Sequence, residues 1–433
     1  MYDVALDGLP SFTQEQFLLA RQRFRDRGID PGTNVLPIGC RLPGRVDLAA
    51  LNRAIRRLVA RHDVLQCRFE LFDGASARLA VRAPVPPATV ASPEPGGEEE
   101  LVRRLRALAE PHLKEWDWPL FRVCVVDGEP AYVLLFVHHL VADFQSLVVL
   151  RNDLEALYQA EHTGVAGELP AAGSFWAVSD AERGRFADPA ILDQHLARWR
   201  RAVGDGEFFP RFPVDLVDVD HGAARSTIQS IEVLTAEEAA ELRRRCVAHR
   251  ATPFAAVAAA YGVALHRVVG VSAVRFMVGM STRTDRDANT VGWFSGMAPC
   301  GFPVSSSADS RADYAATLRD ACAAVSATLA LHGLPYTEAL RAIDPVSYRG
   351  DGVPYPIASM TLVDRAAEQP PVERAAGGGW VDIPMAPSSS RSHAMTFLLG
   401  DDGLAQVGSL QPHTVLHRIE AELAAALQDW VTG

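Results

Sequence analysis

The residues with the most chemistry in this chain are His138 and His139, adjacent and followed four places later by Asp143. They stand directly after the apolar run 131–137, which reads as a strand. Side chains alternate faces along a strand, so only one of the two imidazoles can look into a given cavity. A histidine at a strand end suits general-base work, because its unperturbed pKa of about 6.5 lies near working pH. A second reading stays open on the residues alone: one histidine is a hydrogen-bonded core residue and Asp143 caps the helix that begins near Gln145. A metal site is not expected. Adjacent histidines on opposite faces cannot easily share an ion, and spacing supplies no third ligand.

Other chemistries are removed by what the chain lacks. Lys114 is the only lysine, so every other one of the 42 basic residues is arginine. No Gly-Lys-Ser/Thr phosphate loop exists, and a Schiff-base enzyme would have to use Lys114, which sits in a charged stretch and reads as a surface residue. No Gly-x-Ser-x-Gly elbow occurs, because in Gly292-Trp293-Phe294-Ser295-Gly296 the serine comes one place too late. Acidic residues number 53, the formal net charge is −11, and no basic block stands out, so nucleic acid is not an expected partner.

The six cysteines (Cys40, Cys67, Cys124, Cys246, Cys300 and Cys322) show no paired spacing and read as buried thiols of a reducing compartment. The N-terminal residues carry no secretory pattern, and the most apolar stretch, Thr252 to Gly270, is interrupted by His266 and Arg267. A cytoplasmic chain without a membrane span is the expectation.

The elements that must position the histidines follow from periodicity. With 433 residues, 48% of them hydrophobic and 22% charged, two or three core-forming units are expected. Helices are expected over 11–27, over 48–62 behind an Asp47 cap, over 98–112 and over 145–161. Strands are expected over 34–42, 65–71 and 77–82, and a hairpin over 120–126 and 131–137, with a loop over 83–97. The polar, Gly/Ala-rich break 163–174 marks the boundary between a first domain, 1–172, and a second, 173–433. In the latter, helices are expected over 190–203, 235–250 (a Thr235/Glu238 capping box), 253–269, 308–331 and 412–430, and strands near 227–234, 273–280, 357–363 and 394–399. This is an α/β chain in two halves.

His138-His139-x-x-x-Asp143 resembles the HHxxxDG motif of the condensation-domain superfamily, which includes nonribosomal peptide synthetase condensation domains, chloramphenicol acetyltransferase-like enzymes and polyketide-associated acyltransferases. Further segments match in order. Ser11-Phe12-Thr13-Gln14 resembles the S-x-x-Q motif, Arg61-His62-Asp63-Val64-Leu65 with Phe69 the RHExLRxxF motif, Val291-Gly292-Trp293-Phe294 the (I/V)-G-x-F motif, and His332 to Glu338 the H-Q-D-Y-P-F-E segment. Ala172-Gly173-Ser174-Phe175, Phe209-Pro210-Arg211-Phe212-Pro213 and Gly292 to Met297 with Pro299 resemble stretches of the free-standing polyketide-associated acyltransferases.

The resemblance implies two chloramphenicol acetyltransferase-like lobes in a V, with a central tunnel and the histidine motif at its middle. It implies transfer of an acyl group, held as a thioester on a carrier-protein phosphopantetheine or on coenzyme A, to a hydroxyl or amine in polyketide or nonribosomal peptide biosynthesis. No bound cofactor is implied. An acyl or peptidyl carrier protein and a small-molecule acceptor are the expected partners of a monomer. His139 would be the catalytic base, and His138, Asp143 and Arg283 would be structural at the site, with Arg283 pairing Asp143 and Arg61 as the reserve. Phe144, Gly292, Trp293, Ser295, Ser390 and Ser392 would line the tunnel, and His393 lies beside them in sequence. Two departures stand out: Phe144 replaces the Gly that follows the motif Asp, and Ser295-Gly296-Met297 replaces an Asn-Thr. They leave open a second function, a catalytically inactive module that recruits a partner enzyme or carrier protein.

Overall fold

The computed structural model describes residues 3–28, 34–72, 75–93, 96–165, 167–213, 227–305, 310–349, 357–364, 381–382, 393–410 and 414–433. They fall into two units. The first comprises Met1–Pro189, Ser281–Ser295 and Pro371–Ser388, the second Ala190–Met280, Gly296–Pro370 and Ser389–Gly433.

In the first unit the strands are β1 (Asp3–Gly8), β2 (Val35–Leu42), β3 (Cys67–Phe72), β4 (Ala75–Arg82), β5 (Thr89–Ala91), β6 (Phe121–Val126) and β7 (Ala131–His138). Its helices are α1 (Phe12–Asp26), α2 (Leu48–Arg61), α3 (Glu98–Ala109), α4 (Phe144–Thr163) and α5 (Phe175–Phe186). β7 is central, paired antiparallel with β2 on one side and with β6 on the other. It is buried on both faces, which is why it reads as an unbroken apolar run. Val133, Leu135 and Val137 join a core with Leu51, Ile55 and Leu58 of α2 and Leu147, Leu150 and Leu154 of α4. The alternate residues Leu134 and Phe136 pack with Val102 and Leu105 of α3.

The Arg61-His62-Asp63 segment ties helices to this core. Arg61 Nε donates to Asp153 on α4 at 2.6 Å and His62 Nε2 lies 2.9 Å from the same carboxylate, while Arg61 Nη2 also reaches the Pro170 carbonyl. Asp63 accepts from the Ser174 hydroxyl at 2.5 Å and from the Phe175 amide at 3.3 Å, at the start of α5. Phe175 and Trp176 are buried in the α2/α4 core. The first unit therefore continues past the 163–174 break through α5 to Pro189, where the composition alone places a boundary at 172/173.

The second unit contains α6 (Pro189–Val203), β8 (Thr227–Leu234), α7 (Ala236–Ala248), α8 (Pro253–Val269), β9 (Ala273–Ser281), β10 (Ser295–Pro303), α9 (Ser310–Leu329), α10 (Tyr336–Ile343), α11 (Pro345–Tyr348) and β11 (Ala358–Asp364). The two-residue β12 (Val381–Asp382) returns to the first unit's sheet, pairing antiparallel with β2 at Arg41 and Cys40. The chain then closes with β13 (His393–Gly400), β14 (Gly403–Leu410) and α12 (Thr414–Thr432).

A six-stranded sheet runs in the order β10-β9-β11-β13-β14-β8. The Thr252–Gly270 stretch is its core helix, with every side chain from Ala255 to Leu265 buried. Among the described residues no single helix is long and apolar enough to cross a membrane. The six cysteines are unpaired, five of them buried.

Candidate active site

The site is built on the last residue of β7 and the turn after it. The His138 amide donates to the Leu120 carbonyl at 2.8 Å, so the strand is still held there, and the His139 amide donates to the Asn34 carbonyl at 2.8 Å. Beyond that the chain turns, with the Val141 amide donating to the His138 carbonyl at 3.0 Å. His138 is completely buried. Its Nδ1 accepts the Leu140 N–H at 3.1 Å, which leaves Nε2 to carry the ring proton. Burial, with smaller contributions from the Arg21 charge and from His139, pushes its pKa down to about 3, so it is a neutral structural ring.

Helix α1 fixes the other side of this turn. Ser11 and Gln14 form a capping box: the Gln14 amide donates to Ser11 Oγ at 3.2 Å and Ser11's own amide to Gln14 Oε1 at 2.8 Å. Gln14 Nε2 then donates to the Leu140 carbonyl at 2.6 Å, across 126 residues of sequence. The S-x-x-Q segment thus both starts a helix and clamps the histidine turn.

Asp143 ends the turn and serves as cap and as ion-pair partner at once. Its Oδ1 accepts from the Ser146 amide at 2.8 Å, from the Ser146 hydroxyl at 2.7 Å and from Arg283 Nη2 at 2.8 Å. Its Oδ2 accepts from the Phe294 amide at 3.1 Å. The Arg283 side chain is only 5% exposed. It also donates through Nη1 to the carbonyls of Asp287 (2.8 Å) and Thr290 (2.5 Å) and through Nη2 to Ser146 Oγ (2.7 Å), and its guanidinium lies 4.2 Å from the centre of the Phe294 ring. Ser146 Oγ accepts the Gly292 amide at 3.0 Å and stands 2.8 Å from the Gly292 carbonyl. Residues 292–294 are therefore held by their backbone on α4. Gly292 has no room for a side chain, since a Cβ would lie 2.0 Å from the Phe175 ring.

What this framework presents to the histidines is Trp293. Its ring centre lies 4.4 Å from that of His139, the planes 36° apart. Phe17 of α1 meets Trp293 edge-on at 5.4 Å and His138 at 6.0 Å. His139 is half-buried, and its Nδ1 is enclosed without a hydrogen bond of good geometry. Burial lowers its pKa, while the backbone of His139 and Ala142 and the charge of Asp143 act in the opposite direction. The lowered pKa favours the neutral imidazole.

Of the residues singled out in the sequence, the structure brings together His138, His139, Asp143, Arg283, Gly292 and Trp293. Ser295 is half-buried where β10 begins. Phe144, on the first turn of α4, is 55% exposed. Arg61 pairs with Asp153 and takes no part. Ser390 and Ser392 lie outside the described residues, and His393 opens β13. The segment from His332 to Glu338 belongs to the second unit, where the buried Glu338 pairs with Arg341. Phe17 and Ser146 went unmarked in the sequence; the signal available for Ser146 was its place three residues after a capping Asp. Among the described residues no three His, Cys, Asp or Glu side chains stand close enough to share a metal ion.

The half-buried His139 at a strand end, the turn clamped from α1 and the buried Asp143–Arg283 pair all lie within or against residues 34–338, which match the family model of the Condensation domain. The chain belongs to that family. It is 26% identical over 302 residues to acyltransferase PapA3 of Mycobacterium tuberculosis and 30% identical over 310 residues to trehalose-2-sulfate acyltransferase PapA2 of Mycobacterium bovis. Each match covers 69% of this chain and 63% of the relative's own length. The solved structure of a PapA2 acyl transferase superposes with a TM-score of 0.78 at 19% identity, covering 100% of this chain and 95% of that one.

Proposed function

We propose that this chain is a condensation-type acyltransferase that moves an acyl group from a thioester, on a carrier-protein phosphopantetheine or on coenzyme A, to a hydroxyl or amine. The observation that carries the reading is the neutral His139 imidazole, its Nδ1 enclosed and its ring fixed between the turn and Trp293. A relative named for acylating trehalose-2-sulfate, a polyol, supports a hydroxyl acceptor.

In this reading Nε2 of His139 takes the acceptor's proton as its oxygen or nitrogen attacks the thioester carbonyl. The tetrahedral intermediate collapses, the carbon–sulfur bond breaks, and the imidazolium returns the proton to the leaving thiolate. Ester or amide and free thiol are formed, and the histidine ends neutral. No cofactor is consumed. Phe144, exposed beside the motif, is the side chain proposed to meet substrate where a Gly would leave the backbone bare.

The test is His139→Ala, assayed for acyl transfer from acyl-CoA and from an acylated carrier protein. Loss of a positioned base reduces turnover by about 10²- to 10⁴-fold. An active wild type whose rate survives the substitution within a few-fold overturns the base assignment. A wild type that transfers nothing yet binds a partner protein supports the recruiting module.

A further inference from the structure

A histidine that takes a proton in the reaction must be stable as a cation while the intermediate lasts, and in a Ser-His-Asp arrangement a carboxylate supplies that stability. The charged and titratable groups around His139 are few. Asp143 favours the charged ring through its field, but it already accepts four hydrogen bonds and is paired with Arg283. His138 is held neutral in the strand, and beyond it on α1 Arg21 is paired with the buried Glu115, which also takes Arg25 at 3.1 Å. None of these is placed to hydrogen-bond the imidazolium. The group that faces the ring is an indole, with its centre 4.4 Å away and a 36° tilt, well inside the roughly 6 Å at which a cation is attracted to an aromatic face.

We propose that Trp293 is the positioning residue of the His139 site, holding the neutral imidazole by ring contact and stabilising the imidazolium formed in catalysis through a cation–π interaction. The proposal rests on the reading of His139 as the base and adds to it the group that bears the charge. Trp293 is suited to this because it is itself immobilised. Gly292 before it and Phe294 after it are hydrogen-bonded to Ser146 and Asp143, Thr282 donates through its amide and hydroxyl to the Phe294 carbonyl at 2.5 and 2.6 Å, and Phe17 abuts the indole edge-on. A rigid π-face costs no reorganisation when the charge appears.

The experiment is a pH titration of the His139 ring resonances by NMR in the full chain labelled at histidine, the signals assigned by their absence in His139→Ala. Removing a group that favours the charged form lowers a histidine pKa. The expected order is wild type, then Trp293→Phe, then Trp293→Leu, with Leu about 0.5 to 1 unit below wild type. The acidic limb of kcat/KM moves to lower pH by the same amount, and kcat falls more than KM changes. A His139 that titrates identically in wild type and a folded Trp293→Leu protein overturns the proposal. Should Trp293→Leu fail to fold, wild-type protein grown on fluorinated tryptophan keeps the shape and weakens the π-face; an unmoved His139 titration there overturns the proposal equally. The titration is read without turnover, so it stands apart from the His139→Ala rate test of the base assignment.

Discussion

Removing either the Asp143 carboxylate or its partner Arg283 should destabilise the first unit strongly, and the bonds each leaves behind show by how much. In Asp143→Ala the guanidinium keeps the carbonyls of Asp287 and Thr290 and the Ser146 hydroxyl but loses its anion, while the Phe294 amide and the N-terminus of α4 lose their acceptor. An uncompensated buried charge costs roughly 3 to 5 kcal/mol, and a lost N-cap about 1 kcal/mol that partly overlaps with it. In Arg283→Met the carboxylate keeps three donors, the Ser146 amide and hydroxyl and the Phe294 amide, and the Met stem still covers the Phe294 ring, but the Asp287 and Thr290 carbonyls lose their donor and the buried carboxylate loses its cation, so the loss is of the same order, roughly 3 to 5 kcal/mol. The double variant should be more stable than the sum of the two losses by about 2 kcal/mol or more, because neither charge is then stranded. Urea denaturation of the four proteins supplies the cycle. An Asp143→Ala loss below about 1 kcal/mol, or strict additivity, refutes the reasoning.

Two further outcomes test the same frame. His138, depressed to about 3 in the fold against about 6.5 in an unfolded chain, makes stability fall as pH drops through that window, by about 1.4 kcal/mol per pH unit, because the unfolded state takes up the proton first. His138→Asn, whose side-chain oxygen can still accept the Leu140 amide, should flatten that slope by about one proton, and equal slopes count against it. Gly292→Ala drives a methyl into the Phe175 ring and should cost about 1 to 3 kcal/mol, recovered in part by Phe175→Leu in the same chain.

The sequence made legible whatever is local. β7 shows as a strand because both its faces are buried, and α2 and α7 announce themselves by capping side chains at Asp47 and Thr235. The break at 163–174 misleads as a domain boundary because the signal is only local flexibility; the Asp63 to Ser174 bond that draws α5 back to the first unit spans 111 residues. β12 has no local signature at all, being two residues that find their partners on β2. At the site, a capping Asp143 and an ion-paired Asp143 looked like rival readings. Periodicity treats a side chain as having one role, whereas a carboxylate has two oxygens and several lone pairs.

The bonds of the motif Asp show what it is for. A base must be neutral to accept a proton and tolerable as a cation once it has it. Burial secures the first condition for His139, and it works against the second. Asp143 helps with the second through its field alone, since its lone pairs are committed to Ser146, Phe294 and Arg283. Those commitments fix the backbone of residues 292–294, and that backbone sets Trp293 on the imidazole. The Asp–Arg pair therefore acts on His139 in two ways, through the field of the carboxylate and through the indole it positions. A variant at Asp143 that remains folded should accordingly move the His139 titration in the same direction as one at Trp293, to lower pH.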